Sequence, residues 1–332
     1  MAGANTIGVD LGGTKLALAH LQGGALGESV VQATDCSSTD ALIDQLVEMV
    51  QSVDADKVDA VGVGVPSIVE FHTGRVVRSV NVPLRDMPLR DVLRGRLGVP
   101  VFVDNDATVA ALAEAHDQHL QLVAHHLVLL TIGTGVGGGI VLNGRIYRGA
   151  TGGAGELGHT IIGLDLSQPV PPAGKFPLPQ SLEYAAAGVA LDRLAEKAAE
   201  DHPESELGRL HAAGKPVTGR EAVQAARDGD RVAVRIVELW GERLGIGIAN
   251  VINTFDPDEV VVGGGAAQAG ELLLGPAERV ARAHVVPGLG EKTRIRAAWH
   301  GVRAGVLGAA LLAVHEAERT GGEAHSEGSA AR

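Results

Sequence analysis

Cysteine is almost absent: Cys36 stands alone in 332 residues. A single thiol excludes an internal disulfide and any metal site built from several thiolates, so the fold must stand on its core. Long apolar runs are also missing. The longest, Ala304 to Val314, is interrupted by Gly308 and falls short of the roughly 18 residues that a membrane-crossing helix needs. The opening MAGANTIGVD has neither the basic start nor the apolar segment of a signal peptide, and a cytoplasmic location with no membrane partner is expected. Positive charge is scarce, with 28 Lys and Arg against 40 Asp and Glu, a net charge of -12. That balance repels phosphate backbones, so nucleic acid is not an expected partner and the charge serves solubility.

What is present describes a globular chain. An apolar content of 45% over 332 residues can bury a large core, and the length favours two domains. From Thr6 the chain reads as a strand (IGVD), a glycine turn (LGGTK), a second strand (LALAHL) and another glycine turn. From His126 the plan recurs as LVLLTI, GTGVGGG, IVL, the Asn143-Gly144 turn and RIYRG. Two such hairpins, about 120 residues apart, point to a duplicated domain. Between them lie a helix from Ser38 to Ser52, a buried strand from Ala60 (AVGVGVP), a strand VPVFVD ending at Asp104, and a helix from Ala107. Strand alternating with helix predicts an α/β fold with a parallel or mixed sheet. Further on, Thr218 and Glu221 form a capping box, an amphipathic helix runs from Asp230 towards Asn253, a strand EVVVGGG follows Asp256-Pro257, and another helix starts near Arg303. The polar, glycine-rich segment from Arg319 to Arg332 is expected to be disordered.

Several short stretches carry chemistry. In Asp10-Leu11-Gly12-Gly13-Thr14-Lys15, glycines after a strand let backbone N–H groups approach phosphate oxygens, and Thr14 and Lys15 add a hydroxyl and a charge. A tight hairpin with a surface lysine is the plainer reading. The second loop, Thr131 to Gly139 (TIGTGVGGG), stands at the equivalent turn of the second half, and two such loops facing across a cleft can grip a triphosphate. Asp104-Asn105-Asp106 lies where a buried strand gives way to a helix. Such residues cap helices, and a carboxylate at the carboxyl end of a strand also points into the crevice where α/β sheets bind ligands. Spacing alone does not choose. Glu156 and His159, in GELGH, are three apart, which places both on one face of a turn, where an acceptor and an imidazole can grip neighbouring sugar hydroxyls or form a solvated pair. No thiol or further histidine lies from Ile161 to Gln180, which argues against zinc.

In order and spacing these pieces resemble the ROK family of sugar kinases and repressors, within the actin-like ATPase and hexokinase superfamily, from about Ile7 to Val314. The resemblance implies a two-lobed, ribonuclease H-like α/β fold with duplicated mixed sheets flanked by helices and the active site in the cleft. It implies a smaller lobe of residues 1–115 plus 303–318, a larger one of 116–302, and a tail of 319–332. By resemblance, Asp106 is the base that takes the proton of the attacking hydroxyl. Asn105, Glu156, His159 and Glu183 hold other hydroxyls, and Ser67 lines the sugar side. Asp10 helps to position magnesium; Gly12, Gly13, Thr14, Lys15, Gly133, Thr134 and Gly135 hold ATP phosphates; Gly263, Gly264 and Gly265 border the adenosine.

The implied activity is an ATP-dependent, magnesium-requiring hexose kinase, a glucokinase acting on the 6-hydroxyl of glucose. N-acetylmannosamine, fructose or allose as acceptor, polyphosphate as donor, and an idle sugar sensor are the alternatives. The family's repressors carry a winged helix-turn-helix ahead of the first strand, which this chain reaches by Thr6, so the enzyme is expected over the repressor. Family habit implies a homodimer or homotetramer. Two departures stand out. Many members carry a C-x-C-G-x-x-G-C segment that binds structural zinc with the histidine. Here Leu166 to Ser181 reads LSQPVPPAGKFPLPQS, with no cysteine, so a sugar site without zinc, stiffened by proline, is expected. Ser67 replaces a glycine common in the family.

Overall fold

A computed structural model describes residues 3–53, 58–79, 81–167, 169–170 and 174–330, with side chains as far as 319. The chain divides into two compact units. The first comprises Met1–His125, Gly139–Gly155 and Trp299–Arg332, and the second His126–Gly138 and Glu156–Ala298.

In the first unit the opening hairpin forms as its alternating apolar residues predict: Asn5–Leu11 pairs antiparallel with Lys15–Gln22, with Leu11 opposite Leu16. On its other side Asn5–Leu11 runs parallel to Ala60–Val65, which runs parallel to Val101–Asn105. Ala25–Leu26 and Val30–Ala33 both pair with Lys15–Gln22. The strands Asn5–Leu11, Ala60–Val65 and Val101–Asn105 are in parallel register, so Asp10, Gly64 and Asp104 share one row at their carboxyl ends. This edge carries the carboxylates described below.

The apolar run from Ala304 belongs to the helix Ala304–Ala330, and its residues to Val314 are nearly all buried. It crosses the sheet backbone to backbone. A Cβ on Gly62 would overlap the Ala309 carbonyl oxygen, and one on Gly308 would overlap that of Val109, so both glycines are required by close approach. Among the described residues, no helix is long and apolar enough to cross a membrane. The backbone stays helical to Ala330, whereas the sequence from Arg319 reads as an irregular tail. No proline interrupts the segment, so the helix propagates from its buried first turns. Ala331 and Arg332 lie outside the described residues.

The second unit repeats the strand plan. Leu127–Ile132 is parallel to Glu259–Gly263, which is parallel to Arg294–Ala297. The full order of this sheet is Arg145–Ile146, Val136–Leu142, Leu127–Ile132, Glu259–Gly263, Arg294–Ala297. The first sheet has the same order from its small outer strand to Val101–Asn105, as duplication requires. The long helix Arg231–Phe255 is capped by Asp230, whose side chain accepts from the Ala233 N–H. Its Trp240 indole donates to the Ala186 carbonyl at 2.8 Å. The expected capping box of Thr218 and Glu221 opens the helix Gly219–Arg227.

The resemblance divides the chain at 115/116 and 302/303, whereas the compact units meet at 125/126 and 298/299, and the hairpin 139–155 packs with the first unit. A Cβ on Gly139 would meet the Ala107 carbonyl, and one on Gly152 that of Val69. These long-range backbone contacts hold the hairpin to the first unit.

Candidate active site

The first unit gathers carboxylates at its strand ends. Asn105 is the N-cap of the helix Asp106–Glu114, its Oδ1 accepting from the Thr108 N–H at 3.0 Å. Helix capping is therefore real here, and it falls to Asn105. Asn105 Nδ2 donates to the Ser67 carbonyl at 3.3 Å. Ser67 is buried and its hydroxyl donates to the Arg78 carbonyl at 2.6 Å, so Ser67 acts on the site by holding Asn105.

Asp104, 1% exposed, accepts from the Asn105 N–H at 2.9 Å and from Arg148 Nε at 2.6 Å. Burial pushes its carboxyl up, and the Arg148 charge opposes that. Arg148 also donates to Glu316 at 3.2 Å and lies 3.5 Å from the centre of the Phe71 ring. Asp106 follows at the first helical position, its Oδ1 accepting from the Ala107 N–H at 2.7 Å.

Asp10 completes the group. Its carboxyl is pushed from an ordinary 3.8 up to about 6, by burial first and by the negative charge of Asp106 second. A Cβ on Gly305 would collide with this carboxylate, so the first turn of the long C-terminal helix closes against it. Two mutually repelling carboxylates in partial burial are relieved by a hard divalent cation, and they fit a magnesium ion delivered with a nucleotide. In the adjoining glycine turn, the Gly12 N–H closes the turn on the Lys15 carbonyl at 2.9 Å, and the Gly12 carbonyl accepts from Thr34 Oγ1 at 2.7 Å. Gly13 packs against Asn81, and Thr14 and Lys15 are solvent-exposed or nearly so.

The second unit holds the other loop. The Gly133 N–H donates to the Gly135 carbonyl at 2.9 Å, and the Gly133 carbonyl accepts from the Gly188 N–H at 2.7 Å. This pins the loop to the start of the helix Gly188–Asp201. Glu183 Oε2 accepts from the Val136 N–H at 2.8 Å. A Cβ on Gly135 would lie 2.5 Å from that oxygen.

Glu156 caps a short turn, Leu157–His159, and the i, i+3 spacing does put both side chains on one face, with His159 Nε2 3.6 Å from Glu156 Oε2. Gly158 presses on the Val136 carbonyl, where a Cβ has no room. The glycine loop, Glu156, His159 and Glu183 are thus joined around one residue, Val136. Beside the loop opens a cavity of about 1180 Å³ whose lining includes Gly133, Thr134, Gly188, Arg227 and Gly265. A Cβ added at Gly133 or Gly265 meets nothing within 4 Å, so bare backbone faces open space there. This volume and this exposed backbone fit a nucleotide. Of the glycine triplet, Gly263 is buried in its strand, Gly264 packs against the Ile132 backbone at positive φ, and only Gly265 lines the cavity.

Sequence reasoning did not single out Arg148, Arg227 or Phe176. Isolated residues in a hairpin, a helix and a proline-rich loop carry no spacing signal, and only the fold brings them to these places. Gln168 and Pro171 to Ala173, within that loop, lie outside the described residues.

The model of the ROK family matches residues 6–316. The chain belongs to the ROK family. It is 35% identical, over 92% of its length and 94% of the relative's, to a glucokinase of Halalkalibacterium halodurans. A crystal structure of a ROK family glucokinase from Streptomyces griseus in complex with glucose and AMPPNP aligns at a TM-score of 0.75 with 32% identity, covering 94% of this chain and 100% of that one. A ROK hexokinase from Thermus thermophilus aligns at 0.74 with 34% identity, covering 95% and 99%. The ROK fold accounts for the matching strand orders of the two sheets: this is the actin-like ATPase architecture, α/β with mixed sheets.

Proposed function

We propose that this ROK-family chain is an ATP-dependent hexose kinase, a glucokinase that transfers the γ-phosphoryl group of MgATP to the 6-hydroxyl of glucose. The observation that carries the reading is the Asp10–Asp106 pair: two interacting carboxylates at the carboxyl end of a sheet, one on a strand and one at the start of a helix. Asp106 takes the proton of the sugar hydroxyl as its oxygen attacks the γ-phosphorus, and ADP leaves. Asp10 orients the magnesium that arrives with ATP. The Gly12 to Lys15 turn and the Gly133 to Gly135 loop bind phosphate oxygens, and the cavity bordered by Gly265 takes the nucleoside. Glu156, His159 and Glu183 bind sugar hydroxyls, with Asn105 doing so through the part of its amide not engaged in capping. Positioning and charge neutralisation supply most of the rate.

A cytoplasmic location and a homodimeric or homotetrameric assembly are expected, the assembly to be read by light scattering. Asp106→Ala, purified as a folded protein, is expected to lose about 10²- to 10⁴-fold in kcat, the usual contribution of a positioned base. Coupled ADP release with MgATP and glucose, fructose, mannose, N-acetylmannosamine and allose measures this and ranks the acceptors. Near-full turnover by the folded variant overturns the assignment of the base.

A further inference from the structure

His159 raises a problem that its own contacts do not solve. Its Nδ1 is buried and finds no hydrogen-bond partner among the described residues, while its Nε2 stands 3.6 Å from Glu156. An imidazole is ordinarily fixed in rotamer and tautomer by a hydrogen bond at the nitrogen that does not serve the ligand. Among the described residues that restraint is missing, which leaves packing to orient the ring. Its aromatic partner among them is Phe176, whose ring meets the imidazole edge to face, with centroids 5.0 Å apart and planes at 62°.

Phe176 is 65% exposed, an unusual setting for a phenylalanine that only fills a core. It is carried on a loop whose base is closed by backbone pairing. Ile161 bridges Ser181, the Ile162 N–H donates to the Gln180 carbonyl at 2.9 Å, and the Leu182 N–H donates to the Thr160 carbonyl at 2.9 Å. Thr160 Oγ1 donates back to the Leu157 carbonyl at 2.7 Å, and Ser181 caps the short helix Leu182–Ala186, which bears Glu183. The ladder therefore ties the residue after His159 to the residue before Glu183, and the loop above it returns Phe176 onto the imidazole.

Resting on the sugar-kinase reading for its functional consequence, we propose that Phe176 is the positioning residue for His159: its ring holds the imidazole in the orientation that receives a sugar hydroxyl. The backbone ladder at the loop's base fixes the spacing of His159 and Glu183, and Phe176 fixes the angle of the imidazole. Phe176 acts on the acceptor only, through His159, and has no part in binding the phosphoryl donor.

The test compares Phe176→Ala, Phe176→Leu and Phe176→Tyr with the native protein. Loss of an aromatic pair is expected to raise KM for the hexose by about three- to tenfold in the alanine and leucine variants, with tyrosine restoring it. KM for ATP and kcat stay within about twofold and the unfolding midpoint holds, because the ring is largely exposed. A hexose KM unchanged in Phe176→Ala overturns the proposal. So does a uniform shift of both KM values with the midpoint, which marks a merely structural ring. A second readout needs no turnover: the ring signals of His159, assigned with His159→Gln in protein carrying labelled histidine and no substrate. A single narrow set in the native protein, broadened in Phe176→Ala, supports the contact, and identical spectra overturn it. Should the native protein phosphorylate no hexose while His159 still responds to Phe176, the kinase reading fails and the positioning contact stands.

Discussion

Asp10→Asn is expected to abolish phosphoryl transfer and yet stabilise the protein at neutral pH. The carboxyl of Asp10 moves from 3.8 to about 6 on folding, so the folded state resists its ionisation. Between these values the folded protein holds a proton that the unfolded chain has lost, and stability falls as pH rises through this window. Above pH 6 the full cost remains. At about 1.36 kcal/mol per pKa unit, the interval corresponds to about 3 kcal/mol as a ceiling. Asp10 keeps some contact with solvent, and screening reduces the expected gain to about 1–2 kcal/mol. Asparagine preserves the shape and removes the charge and its repulsion by Asp106. Denaturant unfolding in EDTA, at pH 5 and at pH 8, measures both effects. The variant should exceed the native protein by about 1–2 kcal/mol at pH 8, with roughly half of that margin gone by pH 5. A variant no more stable than the native protein at pH 8, or one with the same margin at both pH values, refutes the argument.

His116 contributes a slope of the opposite sign. It is fully buried, and burial pushes its imidazole down to about 4, with His315 and His300 adding to the effect and the Leu112 carbonyl and Asp117 opposing it. From pH 6.5 down to about 4 the unfolded chain takes up a proton that the folded one refuses, so stability falls on acidification by about 3 kcal/mol; His116→Leu should flatten that acid limb, and an unchanged limb in the variant contradicts it. Gly135→Ala drives a methyl to 2.5 Å from Glu183 Oε2 and must break the bond to the Val136 N–H. Losing a hydrogen bond to a charged group predicts a fall of about 10- to 100-fold in kcat/KM for the hexose, and native steady-state kinetics in this variant would show that the carboxylate relocates freely.

Much of this fold is legible in the sequence because the signals are local. Alternating apolar residues interrupted by Gly12-Gly13 and by Gly133 to Gly135 mark both hairpins, and Ser38, Thr218 and Asp230 cap the helices their positions announce. Asp104 to Asp106 is legible as a strand-to-helix junction, but the assignment of the cap to Asn105 and of burial to Asp104 needed the partners Ser67 and Arg148, both distant in sequence. The resemblance places the hairpin 139–155 in the larger lobe. Its attachment to the first unit depends on contacts of Gly139 and Gly152 with carbonyls far away in the chain, which no periodicity encodes. The proline-rich loop shows only its composition. Its closing ladder and the return of Phe176 depend on where Thr160 and Leu182 meet.

The Val136 peptide couples Glu183 to the glycine loop of the second unit. Its N–H holds Glu183, and its carbonyl rests on Gly158 between Glu156 and His159. Val136 is also the residue that ends the glycine loop and begins the next strand. A phosphate-binding loop made only of glycine would be free to move, since each glycine carries extra backbone entropy of up to about 1 kcal/mol relative to alanine. Anchoring one end to Glu183 and the other to the Gly188 N–H removes that freedom and leaves the space beside Gly133 open. The side chain read as a sugar ligand thereby also orders the loop read as a phosphate cradle. Substitutions of Glu183 should therefore weaken nucleotide binding as well as hexose binding, whereas substitutions of Phe176, whose ring packs on His159, should weaken hexose binding alone.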